Sequence, residues 1–211
     1  KSLHDDLDLL VRFFESSDYI TRSEFSSYCK SLIETTPTRT CLWLPNLSAP
    51  ETAPFTETVR SEGFPGFSVW QVNEQGAQIP AEGGIVYPAL YIEPLPGHEK
   101  DLGYNLYSKP APRAAIAEAL TTGQATASEP ANLTERFGTL PGFFIFKPVA
   151  AQQQKGVAGF FLYPEPLLKT RPHHTAGEAA HVSVYLFQLH DGEPPRWLAC
   201  SIKGCSQDCW Q

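Results

Sequence analysis

The sequence predicts an α+β fold with largely antiparallel sheet, on three observations. The first 35 residues carry apolar side chains at helical spacing. From Leu42 onward Pro and Gly become frequent, and short apolar runs replace long periodic ones. The elements then follow as helices, strands around one further helix, and more strands, with no regular βαβ alternation. The chain has 211 residues and 42% hydrophobic side chains, enough to bury a core.

Residues 2–15 are predicted as the first helix. Leu3, Leu7, Leu10, Val11 and Phe14 form one stripe, Leu9 and Phe13 a second. A helix apolar on two sides packs either on its own core and a partner helix, or with both stripes inside one domain. After the polar break at Ser16-Ser17-Asp18, Thr21-Arg22-Ser23-Glu24 reads as a capping box. Phe25, Tyr28, Cys29, Leu32 and Ile33 continue a second helix that stops before Pro37. A third, of about ten residues, is expected over 51–61.

Strands are predicted at 67–72, 85–92, 143–149 and 157–163, with Pro88 marking an edge or bulge in the second. A helix over 114–120 has Ser108 as N-cap, Pro110 and Pro112 in its first turn, Ile116, Ala119 and Leu120 buried, and Gly123 past its end. Residues 164–170 are read as a short helix. Strands at 181–189 and 197–202 flank a turn at Asp191-Gly192.

The charge balance of 16 basic against 23 acidic residues gives −7 and excludes a nucleic-acid binder, which needs a basic face. No apolar run approaches 18 residues, and the chain contains no Met, so it reads as a piece of something longer. No phosphate loop, serine elbow or zinc spacing is present. His173, His174, His181 and His190 fit no ligand motif and read as loop histidines. Asp5, Asp6 and Asp8 read as an exposed face at a helix N-terminus. No catalytic residue, metal or cofactor is expected.

Five Cys is an odd count that fits an oxidising compartment. Three pairings are open: a local Cys205–Cys209 bridge worth ~2 kcal/mol, a long bridge from the tail (Cys200, Cys205 or Cys209) to Cys29 or Cys41 worth ~5 kcal/mol, or free buried thiols.

One stretch carries a family pattern. Tyr87-Pro88-Ala89-Leu90-Tyr91-Ile92-Glu93-Pro94 is followed by Gly103-Tyr104-Asn105-Leu106-Tyr107-Ser108, then Pro110, Arg113, Ala119, Thr122 and Gly123. Leu42-Trp43-Leu44-Pro45 and Phe64-Pro65-Gly66-Phe67 precede it, and Gly142-Phe143-Phe144-Ile145-Phe146-Lys147-Pro148-Val149 follows. Over residues 40–165 these landmarks resemble the CHASE domain, the extracytoplasmic sensor of bacterial signalling proteins and of plant cytokinin receptors. Two positions depart: His98 stands where the family has Asn, and Asn105 where it has Asp. The cytokinin receptors contact the hormone's purine from the latter position. Asn offers a donor and an acceptor where ionised Asp only accepts, so the resemblance supports a sensor better than a purine sensor.

The resemblance implies a long N-terminal stalk helix and two PAS-like antiparallel modules. The expected division is stalk and second helix 1–39, membrane-distal module 40–155 and membrane-proximal module 156–211. It implies a pocket for an unknown small molecule lined by Trp70, Tyr87, Leu90, Tyr91, Asn105, Leu106, Thr122 and Phe144, with Asn105 as polar selector. It further implies a homodimer through the N-terminal helix, flanking transmembrane helices, a periplasmic position at the inner membrane, and a cytoplasmic diguanylate cyclase, phosphodiesterase or histidine kinase output outside this chain. An interaction module without a ligand is the alternative.

Overall fold

A computed structural model describes residues 3–35, 40–129, 142–151, 153–162, 185–188 and 196–200. Helix α1 (Leu3–Glu15) and helix α2 (Arg22–Thr35) are separate, joined through the break at Ser16-Ser17-Asp18. The capping box holds α2: the Thr21 N–H and hydroxyl donate to Glu24 at 2.9 and 2.7 Å, and the Glu24 N–H donates back to Thr21 Oγ1 at 3.3 Å.

No long stalk helix appears among the described residues. The first helix has 13 residues and lies on the sheet, with Leu7, Leu10, Val11 and Phe14 buried. Phe14 stacks on Trp43 at 4.2 Å, and Phe13 of the second stripe stacks on Tyr28 of α2 at 4.3 Å. Both stripes therefore pack within the domain, apart from Leu9, which is 38% exposed. Asp6 is also a correction. It follows Leu3 by three residues and precedes Leu10 by four, so it falls on the inward face and is buried. Neither of its carboxylate oxygens has a hydrogen-bond partner among the described residues.

Five antiparallel strands form the main sheet: β1 (Thr40–Pro45), β6 (Tyr91–Glu93), β7 (Thr126–Ala127), β8 (Phe143–Ala150) and β9 (Lys155–Leu162), in the order β6-β1-β9-β8-β7. Strand β1 sits between β6 and β9, pairing Leu42 with Ile92 and with Gly159. The expected division at 155/156 thus falls at the start of β9, the middle strand. All six residues of β1 and seven of eight in β9 are buried, because this sheet is covered on both faces.

Strand alternation separates two cores. Cys41, Trp43, Tyr91, Ala158, Phe160 and Leu162 join the α1 and α2 side chains. Leu42, Leu44, Ile92, Phe144, Phe146, Val157 and Phe161 join Ala115, Ile116 and Ala119 of helix α4 (Pro110–Thr122) on the other face. Lys109, not Ser108, is the N-cap of α4, because residues 106–108 form a 3-10 turn in which Ser108 Oγ donates to the Asn105 carbonyl at 2.7 Å. Gly123 ends the helix at φ +71 as expected. Leu120, expected to be buried, is 42% exposed.

Small strands surround the sheet. β2 (Leu47–Ser48) pairs with β5 (Ile85–Val86), and β3 (Trp70–Val72) pairs with β4 (Gln78–Pro80). The run predicted at 85–92 is broken into β5 and β6 around Pro88, which cannot donate to a ladder, and β6 is a sheet edge. Helix α3 (Ala49–Ser61) starts two residues earlier than expected, since Ser48 forms an unrecognised capping box with Glu51. The strands β10 (Tyr185–Gln188) and β11 (Arg196–Cys200) pair as an antiparallel ladder, as predicted. The short helix at 164–170, the turn at Asp191-Gly192, the four loop histidines and Cys205 and Cys209 lie outside the described residues. The long bridge is not formed at its inner end: Cys29 and Cys41 are free, buried thiols.

Candidate ligand-sensing site

The Gly103–Ser108 motif threads between two backbone segments and bonds to both. Asn105 N–H donates to the Trp70 carbonyl at 2.8 Å, and Leu106 N–H donates to the Tyr87 carbonyl at 3.1 Å. Asn105 Oδ1 accepts the Tyr87 N–H at 3.0 Å, while its Nδ2 reaches Gln71 Oε1 at a long 3.4 Å. Asn105 is 2% exposed, so these bonds satisfy a polar side chain that burial would otherwise penalise.

Aromatic rings close over this amide. Trp70 lies 4.8 Å from Tyr104 and donates its indole N–H to the Leu102 carbonyl at 2.9 Å. Tyr87 lies 5.2 Å from Tyr107, and burial, with Tyr107 second, pushes its phenol up to about 12. Phe144 packs against Phe146 and Phe161 beneath α4.

The structure brings Trp70, Tyr87, Asn105, Leu106 and Phe144 together on the α4 face. The other three expected lining residues lie elsewhere: alternation along β6 turns Tyr91 to the face opposite Ile92, Leu90 precedes that strand, and α4 carries Thr122 to its exposed end. Leu90 and Tyr91 belong to the α1/α2 core. Tyr91 donates its hydroxyl to the Ile20 carbonyl at 3.0 Å, and burial raises its pKa. Thr122 is exposed at the end of α4, where its hydroxyl donates to the Glu118 carbonyl at 2.9 Å.

Leu90 instead lines an open cavity of about 490 Å³ beside α3, with Tyr19, Trp43, Phe55, Glu62 and Lys155 among its walls. Near its Leu90 wall lies Arg22, which sequence reasoning assigned only to a capping box. Its guanidinium sits 4.1 Å from the Phe64 ring centroid and 4.9 Å from that of Tyr91. Nη1 donates to the Leu90 carbonyl at 2.8 Å, and burial lowers the Arg22 pKa. Nothing in the spacing of Arg22, Phe64 and Tyr91 announces this stack, since the three come from separate elements.

His98, the other departure, has its own partner: Nδ1 lies 3.0 Å from Asp101 Oδ2, whose side chain is 3% exposed. Among the described residues no group of three or more His, Cys, Asp or Glu is placed to hold a metal, and no helix is long and apolar enough to cross a membrane.

No curated protein matches this sequence. The family model of the CHASE domain matches residues 18–196. That span takes in the motif strand, the Asn105 turn, α4 and the whole five-stranded sheet, and on it the chain belongs to the CHASE domain family, extracellular sensory and non-catalytic domains of signalling receptors.

Proposed function

We propose that this chain is the ligand-sensing input of a membrane-bound signalling protein, taking up a small polar molecule beside Asn105. The observation that carries the reading is the geometry of that amide. Asn105 Oδ1 is well bonded, but Nδ2 has only the long contact to Gln71, on the half-buried first strand of the β3–β4 hairpin. A ligand acceptor entering under this hairpin takes the Gln71 position and gains a stronger bond, with Trp70 and Tyr87 as apolar walls. The antiparallel sheet with α4 on one face supports a PAS-like reading of this part. Binding would shift the population of two arrangements of the N-terminal helices, paired in a homodimer. A differential affinity of ~2 kcal/mol changes their ratio about thirtyfold. Flanking membrane spans, a periplasmic position and a cytoplasmic cyclase, phosphodiesterase or kinase output complete the proposal.

The test is a thermal-shift screen of the domain against small acids, amino acids and purines. A ligand at one hundred times its Kd raises Tm by about 5–10 °C. Asn105→Ala should abolish the shift, whereas Gln71→Ala, which only vacates the position the ligand takes, should keep or enlarge it. No shift with any class, together with an intact receptor response in Asn105→Ala, overturns the reading. One observation favours a second reading, an interaction or dimerisation module without a ligand: Trp70, Tyr87, Tyr104 and Phe144 are already packed against one another and α4 at 5% exposure or less.

A further inference from the structure

The cavity beside α3 is a groove with an opposite charge at each end. Glu51, Phe55, Thr58, Val59 and Glu62 line it. Their spacing puts them on one face of the helix, and that face runs from its first turn to its C-cap. At 1.5 Å per residue the face is roughly 16 Å long. Trp43, Leu47 and Leu90, all of the α1/α2 core, add apolar wall. The groove is therefore separate from the Asn105 site, which lies on the α4 face.

Lys155 stands at the N-terminal end of α3. Its carbonyl accepts the Asn46 N–H at 2.9 Å, two residues before the Ser48 cap. Glu62 is the C-cap at the other end. Both residues are exposed and line the groove. Among the described residues neither head group is in an ion pair or a side-chain hydrogen bond. The other charges nearby are engaged. Glu51 accepts the Ser48 N–H and hydroxyl in its capping box. Arg22, next to the Glu62 end, is turned to Phe64, Tyr91 and the Leu90 carbonyl.

We propose that this groove binds an elongated zwitterion, with its ammonium at Glu62, its carboxylate at Lys155 and an apolar middle against Leu47, Phe55 and Val59. The volume of about 490 Å³ suits a ligand of this kind. Extended chain covers 3.3–3.6 Å per residue, so a peptide of three or four residues spans about 10–14 Å. A medium-chain ω-amino acid presents the same chemistry. A single α-amino acid carries both charges on one carbon and cannot reach the two ends. Each pairing is solvent-exposed and weak by itself, so recognition needs both ends at once. Gln154, next to Lys155, accepts the Ile20 N–H at 2.7 Å in the connection between α1 and α2. An occupant held by Lys155 therefore bears on that connection.

The experiment titrates the 211-residue chain calorimetrically with tetraalanine and with ω-aminooctanoic acid. At least one of them should bind, and glycine should not. Tetraalanine binding the tighter identifies peptides as the source; aminooctanoic acid binding the tighter identifies aliphatic amino acids. Acetylating the amine or amidating the carboxylate of the bound probe should weaken it. Glu62→Lys and Lys155→Glu, at exposed positions, should each weaken the free-ended probe about threefold to tenfold with an unchanged Tm. Glu62→Lys should leave the affinity of the acetylated probe as it is. No binding of either probe, blocked probes that bind as tightly as free ones, or a charge reversal without effect overturns the proposal.

Discussion

Gly103 shows how one residue fixes the geometry of the site. Its φ is +78, and a Cβ there would collide with the Ser68 carbonyl oxygen and crowd the Phe67 ring at 3.3 Å. Both the conformation and the space exclude a side chain. The turn it permits sends Tyr104 and Asn105 between Trp70 and the 87–90 segment. Gly103→Ala should cost about 2–4 kcal/mol, read as a lowered denaturation midpoint, and should loosen the Asn105 bonds. The spacing of the motif marks Gly103 and Asn105 in the sequence. The partner of Asn105 is not so marked: Oδ1 accepts from Tyr87, 18 residues earlier, next to Pro88, which has no N–H of its own.

Helix starts are where local chemistry is most legible. Thr21 with Glu24 and Ser48 with Glu51 are both capping boxes in which a carboxylate accepts from the hydroxyl and N–H of the cap residue. These bonds, the hydroxyl one first, hold both glutamates below the usual carboxylate range. The Lys147 hydrogen bond does the same for Asp8. A carboxyl whose pKa is depressed in the folded state stabilises fully above its unfolded value, about 4. That contribution is lost as pH falls through the folded value. Stability measured by denaturant unfolding should therefore decline below about pH 4.5. In Glu24→Gln/Glu51→Gln, which can still cap, the acid slope should be shallower. An unchanged slope would show that these bonds are not the acid-sensitive ones. Strand limits were less legible, because β5 and β6 form one apolar run in sequence and are divided by their separate partners, β2 and β1.

Across the whole molecule, the N-terminal helices are part of the core. Leu7, Leu10, Val11 and Phe14 cover one face of the sheet, and each contributes roughly 1.5–3 kcal/mol by burial. Their sum is comparable to the 5–15 kcal/mol that holds a typical domain folded. Removing residues 1–17 should abolish cooperative thermal unfolding in calorimetry, whereas Leu9→Ser, at the exposed residue of the second stripe, should stay within about 0.5 kcal/mol of the parent. A truncated chain that still melts sharply would mean that α1 is a detachable stalk after all.

The sequence alone determined the four helices, the apolar runs of β8 and β9, the Thr21 capping box, the Gly123 helix end and the family landmarks, all of which depend on residues a few positions apart; strands β1 and β7 of the main sheet were not among its readings. Only the tertiary structure decided which side chains share a space. Alternation assigns Tyr91 and Ile92 to opposite faces, but which face holds α4 and which holds α1 and α2 depends on packing between distant segments. The same distance hid the burial of Asp6 and the stacking of Arg22 between Phe64 and Tyr91. Local rules set a residue's orientation on its own element; pairing across the sheet sets what it meets.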